Sequence, residues 1–180
     1  MRTINRLRAA LLACLLLGPT IRGAEGPATF KVSEFSFTRP VAWEWVPVAS
    51  PMRKAQLKVV DTKTKAEAEV VFSHFGPGNA GGTQANVDRW FRQFEEPKEK
   101  IGAKSEEVMV GKRKVTYVLA EGTYKSGMPG GPQKPMPGYA LVGAIIEASE
   151  GSVFVKLTGP KALVSSARDD FKMMVEGALK

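Results

Sequence analysis

Two stretches of the sequence carry the spacing of an amphipathic helix, and the other patterned segments alternate as strands. In the first stretch, Val87, Trp90, Phe91 and Phe94 fall at i, i+3, i+4 and i+7, which places them on one apolar face. A second stripe near the C-terminus comprises Leu163, Val164, Ala167, Phe171, Met174 and Val175. Because the helices are few and the strands come in hairpins, the sequence predicts an α+β domain with a largely antiparallel sheet of about six to eight strands flanked by two main helices.

The strand predictions rest on period-two alternation and on turn residues. Residues 139–147 are apolar on both faces, which predicts a central strand. Residues 152–158 are predicted to be its antiparallel neighbour, after a turn at Glu150 and Gly151. Trp43 and Trp45 lie in a short segment bounded by prolines, which favours an edge position. Further strands are predicted at residues 30–37, 53–61, 70–75, 106–110 and 113–124.

Residues 70–97 combine a strand, a glycine-rich connection and the first helix, and they hold several candidate site residues. The strand ends near His74, the only histidine, and the connection at residues 76–82 includes Asn79. Thr83 is predicted to be the helix N-cap. A glycine-rich connection before a helix is either a flexible connector or a site for an anion or a peptide edge. Gly82 occupies the position where a phosphate loop requires lysine, which excludes nucleotide binding of that kind.

Residues 125–138 contain four prolines and four glycines, which predicts an exposed irregular loop. Met128 and Met136 lie in this segment, each followed by Pro-Gly. Thioethers suit Cu(I), so a copper carrier is one alternative, although these methionines have no nearby cysteine or histidine. The favoured interpretation is a loop that contacts a partner.

The N-terminus predicts export from the cytoplasm. Residues 1–23 combine a basic start, a short apolar run and helix breakers, which is typical of a secretory signal peptide and too short for a membrane span. Residues 24–180 then form a single soluble domain in the periplasm or outside the cell. The sequence before Cys14 resembles a bacterial lipobox, so an alternative is a lipoprotein anchored to the membrane through Cys14.

Charge and cysteine content exclude several classes of function. The formal net charge of +8 falls to +4 once the four signal arginines are removed, and the remaining lysines are scattered. The sequence contains no basic helix and no aromatic stacking motif, so no nucleic-acid partner is predicted. The only cysteine lies in the signal, which excludes disulfides and thiolate metal sites from the mature chain. No cofactor and no metal site are predicted.

Four segments resemble a family of small exported bacterial proteins with a Mog1/PsbP-like domain. They read P-x-x-W, PMR-x-A, GG-x-x-x-N-x-x-RW-x-x-QF and G-x-x-FVKLTGP, at residues 40–43, 51–55, 81–94 and 151–160. The order of elements is also similar to that fold, an antiparallel sheet between helices. The resemblance implies no known reaction. Proteins of this broad fold are mostly accessory or binding proteins, so the resemblance implies a role without catalysis.

His74 and Glu147 are the side chains that could support catalysis. Glu147 ends an apolar strand, where burial would raise the pKa of its carboxyl, and His74 could act as a base if a nucleophile lay within reach. A hydrolase that uses this pair is only the third hypothesis, because the sequence contains no identifiable nucleophile motif. The favoured function is an exported, non-catalytic accessory or binding protein of the bacterial envelope that uses the loops at residues 76–82 and 128–138 as contact surfaces, with an envelope protein or a small ligand as its partner. The alternative is a carrier of a small ligand or of a metal such as copper. Its candidate binding residues are His74, Asn79, Thr83, Trp90, Met128, Met136 and Glu147.

Overall fold

A computed structural model describes residues 26–48, 50–127 and 131–180. The predicted signal peptide, Cys14 and Met128 lie outside the described residues. In chain order the strands are β1 (Thr29–Val32), β2 (Phe35–Thr38), β3 (Glu44–Trp45), β4 (Ala55–Val60), β5 (Glu67–His74), β6 (Lys104–Val110), β7 (Arg113–Gly127), β8 (Gln133–Ile146) and β9 (Val153–Pro160). The helices are α1 (Thr83–Phe91), a short 3-10 turn (Lys98–Lys100) and α2 (Lys161–Gly177).

Seven strands form one antiparallel sheet in the order β3-β4-β5-β9-β8-β7-β6, and β1 pairs with β2 in a separate hairpin. The predicted α+β class and antiparallel sheet are confirmed. The apolar strand within β8 is central, with β7 on one side and β9 on the other. The short tryptophan strand, β3, lies at the edge of the sheet, as its flanking prolines predict.

The two faces of the sheet are covered differently. On one face, α2 and the β1–β2 hairpin pack over Leu57, Phe72 and Val155, and Phe171 is fully buried among them. The alternation of β4 and β5 explains this arrangement, because every second side chain points into that core. On the opposite face, α1 covers only the β7–β8–β9 side, with Trp90 and the apolar residues around it forming a second core.

The predicted loop at residues 125–138 is wrong, because most of that segment is strand. β7 continues to Gly127 and β8 begins at Gln133, so the two strands form an arm that projects past the rest of the sheet. β9 first meets β8 at Tyr139, so Pro135 and Pro137 lie where β8 has a neighbour on one side only. An edge position tolerates prolines, since the missing amide removes no bond from a second neighbour.

The predicted N-cap at Thr83 is wrong by one residue. α1 begins at Thr83, its N-cap is Gly82, and no side chain caps it. The Thr83 hydroxyl donates to Glu147 instead, which takes it away from the helix amides. α1 also ends before Phe94, yet Phe94 is buried in the same core as Trp90, because the chain turns there and forms a bridge to Tyr124.

Within the described ranges, no helix is long and apolar enough to cross a membrane.

Candidate functional site

A groove of about 1040 Å³ lies on the α1 face of the sheet, over the part that α1 leaves uncovered. Its floor is formed by β4, β5 and β9, one wall by α1, and the opposite end by the β7–β8 arm. The floor residues are those that alternate away from the α2 core, including Gln56, Glu69, Val71, Lys156 and Thr158. The volume is at the upper end of what small-molecule sites occupy.

Lys156 lies in the middle of the groove floor and is partly buried. Its Nζ donates to Gln93 Oε1 at 3.0 Å and to the Tyr124 hydroxyl at 3.2 Å, and it lies 5.7 Å from the centroid of the Tyr124 ring. Burial lowers the pKa of Lys156 to about 8, and the nearby Arg53 and Arg89 act in the same direction while Glu69 opposes them. Within the described part of the chain, no carboxylate lies within ion-pair distance of this ammonium.

Gln93 and Tyr124 reach Lys156 because of a bulge in β7. The register of β7 against β8 shifts between Gly122 and Tyr124. At this bulge the Thr123 backbone N–H donates a hydrogen bond to the Glu96 carboxylate at 2.9 Å. That bond lowers the pKa of Glu96. The bent strand meets the segment after α1, where the Lys125 amide donates to the Gln93 carbonyl at 2.7 Å. Bulges redirect side chains in this way near functional sites.

The Tyr124 hydroxyl is held as a neutral donor. It donates to Gln93 Oε1 at 3.1 Å, and its ring stacks on Tyr139 with centroids 6.4 Å apart. Burial raises the pKa of Tyr124 to about 12, and Glu69 adds to that rise. The ammonium of Lys156 therefore has two neutral oxygen partners, neither of which supplies a compensating charge.

A glycine in the central strand allows α1 to approach the sheet beside Lys156. Gly143 pairs with Lys156 across β8 and β9, and a Cβ on Gly143 would lie 2.1 Å from Cζ3 of Trp90. The Trp90 ring occupies that space and meets Phe154 edge-on at 6.4 Å. Trp90, a predicted binding residue, is therefore mainly a core residue whose edge lines the groove.

The start of α1 is tied to the glycine-rich connection by Asn86. This buried side chain donates to the carbonyls of Ala80 and Gly82, at 2.9 Å each, and accepts from Arg89. A buried amide that satisfies two loop carbonyls fixes residues 80–82 against α1. The positively charged Arg89 is thereby held at the groove wall.

Arg53 and Glu69 form the charged pair on the β4–β5 side of the groove. Arg53 Nη1 lies 2.5 Å from Glu69 Oε1 and 2.7 Å from Gln56 Oε1, and the Gln56 amide donates to the same Glu69 oxygen at 2.8 Å. Five cations and two carboxylates line the described groove, which gives it a net charge of +3. The low local dielectric between the walls strengthens that positive potential.

Two predicted site residues, Thr83 and Glu147, are brought together away from the groove. The Thr83 hydroxyl donates to Glu147 Oε1 at 3.0 Å, and Lys114 Nζ lies 3.2 Å from the same oxygen. The Glu147 carboxylate raises the pKa of Lys114. Glu147 is therefore a surface ion-pair partner that fixes the start of α1 to the end of β8.

His74 has a different partner. It lies at the end of β5, in alternation with Val70 and Phe72, and its Nε2 contacts the Glu150 carbonyl at 2.8 Å. Among the described hydrogen bonds and ion pairs, none joins His74 to Glu147. The two residues are not assembled into the acid–base pair of the hydrolase hypothesis.

The remaining predicted site residues are separated. Asn79 is exposed in the connection before α1, and its backbone N–H donates a long hydrogen bond of 3.4 Å to the Gly76 carbonyl. Met136 is half-buried in β8, pairs with Tyr124 and lines the groove. The copper hypothesis stays a prediction, because it also needs Met128, which the structure does not describe.

Sequence reasoning missed the residues at the centre of the groove: Arg53, Arg89, Gln93, Tyr124 and Lys156. Each looks like an ordinary polar position of a strand or helix. One signal pointed to four of them, because Arg53, Arg89, Gln93 and Lys156 lie in three of the four segments that carry the family resemblance. Only the fold shows that those segments meet.

Comparison with known proteins supports the fold. The structure of cyanobacterial PsbP (CyanoP) from Synechocystis sp. PCC 6803 matches with a TM-score of 0.50 and 12% identity, over 85% of this chain and 93% of CyanoP. A protein of unknown function from Pseudomonas aeruginosa, PA94, described as a putative regulator, matches with a TM-score of 0.41 and 14% identity, over 82% of this chain and 92% of its own. No family model and no curated protein matches the sequence.

The chain therefore has a PsbP-like fold, as the order of its elements predicts. At 12% identity this likeness concerns the fold alone, so the groove is considered from its own residues.

Proposed function

We propose that the protein is an exported, non-catalytic binding protein of the bacterial envelope that holds a small ligand in the groove on the α1 face. The observation that carries the proposal is the groove itself, with an uncompensated cation at its centre. Open clefts with a few convergent polar groups are the usual form of a ligand site.

The side chains available in the groove favour binding over chemistry. Lys156, Tyr124 and Gln93 hydrogen-bond to one another, and Arg53 is engaged by Glu69, so each polar group is held in place. An acyl- or phosphoryl-transfer site needs a nucleophile beside a base that a third group orients. The described groove residues do not form such a set, and His74 is bonded elsewhere.

Two further considerations agree with a binding role. The resemblance of the sequence segments implies an accessory protein, and the PsbP-like fold is consistent with that implication. The N-terminal residues combine basic residues, a short apolar run and helix breakers, which predicts export, and an exported chain would present the groove in the envelope.

The test is an NMR titration of the isotope-labelled mature chain with a small-molecule extract of its own cell envelope. We expect amide shifts on β5, β9, α1 and the β7–β8 arm. In a Val71→Trp variant the indole would fill the floor beside Lys156, since Val71 and Lys156 are paired across β5 and β9, and the shifts should disappear. Ser36→Trp adds the same side chain on the exposed side of β2 and should leave them unchanged.

Shifts confined to the α2 face, or equal shifts in the Val71→Trp variant, would show that the groove is not the binding site. Turnover of ester, phosphate or glycoside substrates that is lost on His74→Ala would replace the proposal with the hydrolase hypothesis.

A further inference from the structure

The Lys156 ammonium has one N–H donor without a partner among the described residues. An ammonium carries three N–H donors, and Lys156 directs two of them to Gln93 and Tyr124. The described residues provide no third partner. A donor that is left over in a partly buried place is a cost unless water or a ligand accepts it.

The charge of Lys156 is also uncompensated. Its two partners are neutral, and the acid whose charge acts on it, Glu69, is already bound by Arg53 at 2.5 Å and by Gln56 at 2.8 Å. Arg53 and Arg89 add positive potential from two sides of the groove. An anion on Lys156 would therefore gain from three cations and would offset the cost of burying the ammonium.

The geometry favours one small, singly charged group. Phosphate recognition usually draws on several donors or on a bidentate guanidinium. Here Arg53 Nη1 is bonded to Glu69 and Gln56, and Arg89 Nη2 is bonded to Asn86, so each guanidinium is anchored to a neighbouring side chain at the side of the groove. The cation at the centre of the floor is the single ammonium of Lys156. A carboxylate matches this arrangement in charge and in size.

Apolar surface lies within the same groove. Val71 is next to Lys156 across the strand pair, and Met136 and Tyr139 line the arm. All three are half-buried, so each leaves apolar surface that a ligand could cover. Met is also well suited to accommodating irregular ligand shapes.

We infer that the groove binds an organic monocarboxylate, with the carboxylate on the Lys156 ammonium and an aliphatic or aromatic body against Val71, Met136 and Tyr139. The inference rests on the proposed function and adds the ligand class and the residue that selects it.

The test compares 4-phenylbutyrate with 4-phenyl-1-butanol, which has a similar shape and no charge, and with phenyl phosphate. Lysine side-chain NMR follows Lys156 during pH titrations, and isothermal calorimetry gives the affinities. We expect 4-phenylbutyrate to raise the pKa of Lys156 by about one unit and to bind about ten-fold more tightly at pH 7 than at pH 10. The alcohol should show neither effect.

Two variants extend the test. Lys156→Met replaces the amine with an apolar side chain of similar length and should weaken 4-phenylbutyrate binding at least about ten-fold while sparing the alcohol. Lys31→Met removes an exposed lysine on β1 and should change neither affinity. If Lys156→Met does not fold, the pH dependence of the unaltered protein still decides the question.

Each other outcome overturns the inference. If the acid and the alcohol bind equally well at every pH, the ligand is not an anion, although the groove still binds ligands. If phenyl phosphate binds more tightly than 4-phenylbutyrate, the preferred anion is a phosphate and not a carboxylate. If no probe moves the Lys156 signal at millimolar concentration, the amine is not a ligand anchor, and the envelope-extract titration alone then decides whether the groove binds anything.

Discussion

The two faces of the sheet use the same alternating strands for different purposes. On one face, the 17-residue α2 and the β1–β2 hairpin cover the strands, and the side chains beneath them are apolar. On the other, the nine-residue α1 covers only part of the sheet, and the uncovered strands present Gln56, Glu69 and Lys156. The covered face supplies the stability of the fold, and the partly covered face leaves room for a ligand.

The largest effect expected from this comparison is on the covered face. Phe171 is fully buried under α2, so Phe171→Ala should lower the free energy of unfolding by about 4 kcal/mol. Met136→Ala, a truncation on the groove side at a half-buried position, should cost less than about 1 kcal/mol. Urea unfolding followed by circular dichroism measures both. Equal losses would mean that the groove face contributes as much packing as the core.

The second prediction concerns the point where α1 meets the sheet. Gly143→Ala places a Cβ 2.1 Å from the Trp90 ring, so the ring must move or the strand must shift. We expect the free energy of unfolding to fall by about 2–3 kcal/mol, as in other overpacked cores. A double variant, Gly143→Ala with Trp90→Phe, removes part of the clash and should recover some of the loss. If Gly143→Ala costs nothing, Trp90 does not occupy this space.

The third prediction is a gain in stability on the groove face. Lys156→Met should raise the free energy of unfolding at pH 7 by about 2 kcal/mol, because a partly buried charge without a carboxylate partner is replaced by an apolar side chain. The gain depends on pH. Burial lowers the pKa of Lys156 from 10.5 to about 8, so between these values the unfolded chain binds more protons and the unaltered protein becomes more stable as pH rises.

The difference between Lys156→Met and the unaltered protein should therefore be largest below pH 8 and should disappear towards pH 10.5, because the lowered pKa corresponds to about 3 kcal/mol, which is at least as large as the gain itself. Paired urea titrations at several pH values measure that difference, and other titrating groups cancel because they are common to both proteins. A constant difference across this range would contradict the burial of a charged amine. Lys31→Met provides the control, since an exposed lysine should change stability little at any pH.

The face that carries the core could be predicted from sequence far better than the face that carries the groove. Ala55, Leu57 and Val59 alternate with polar residues, and the helical stripe around Phe171 has only one apolar side, so local periodicity already specifies what packs. The β7–β8 arm could not be predicted, because Pro135 and Pro137 normally exclude strand, and their tolerance depends on where β9 begins.

The groove residues could not be predicted from the sequence for a different physical reason. Lys156 occupies a polar position of an alternating strand, which usually faces solvent. Its burial comes from Tyr124 and Gln93, and their positions depend on a bulge and a chain turn that no local pattern encodes. His74 attracted attention because it is the only histidine, yet it bonds to a backbone carbonyl. The amino-acid composition shows which reactive side chains a chain possesses, but it does not show which side chains the fold brings together in one site.

The smallest predicted effect concerns Thr83 and Glu147, two of the candidate binding residues predicted from sequence that lie outside the groove. Thr83→Ala removes the hydroxyl that donates to Glu147, and because both residues are partly exposed the cost should be about 0.5–1 kcal/mol. Thr83→Ser keeps the hydroxyl and serves as the matched control. Neither variant should change the affinity for 4-phenylbutyrate, because this pair joins α1 to the end of β8 and makes no described bond to a groove residue. A ten-fold loss of affinity on Thr83→Ala that Thr83→Ser restores would mean that the binding site extends along the α1 face beyond the groove, to the start of α1.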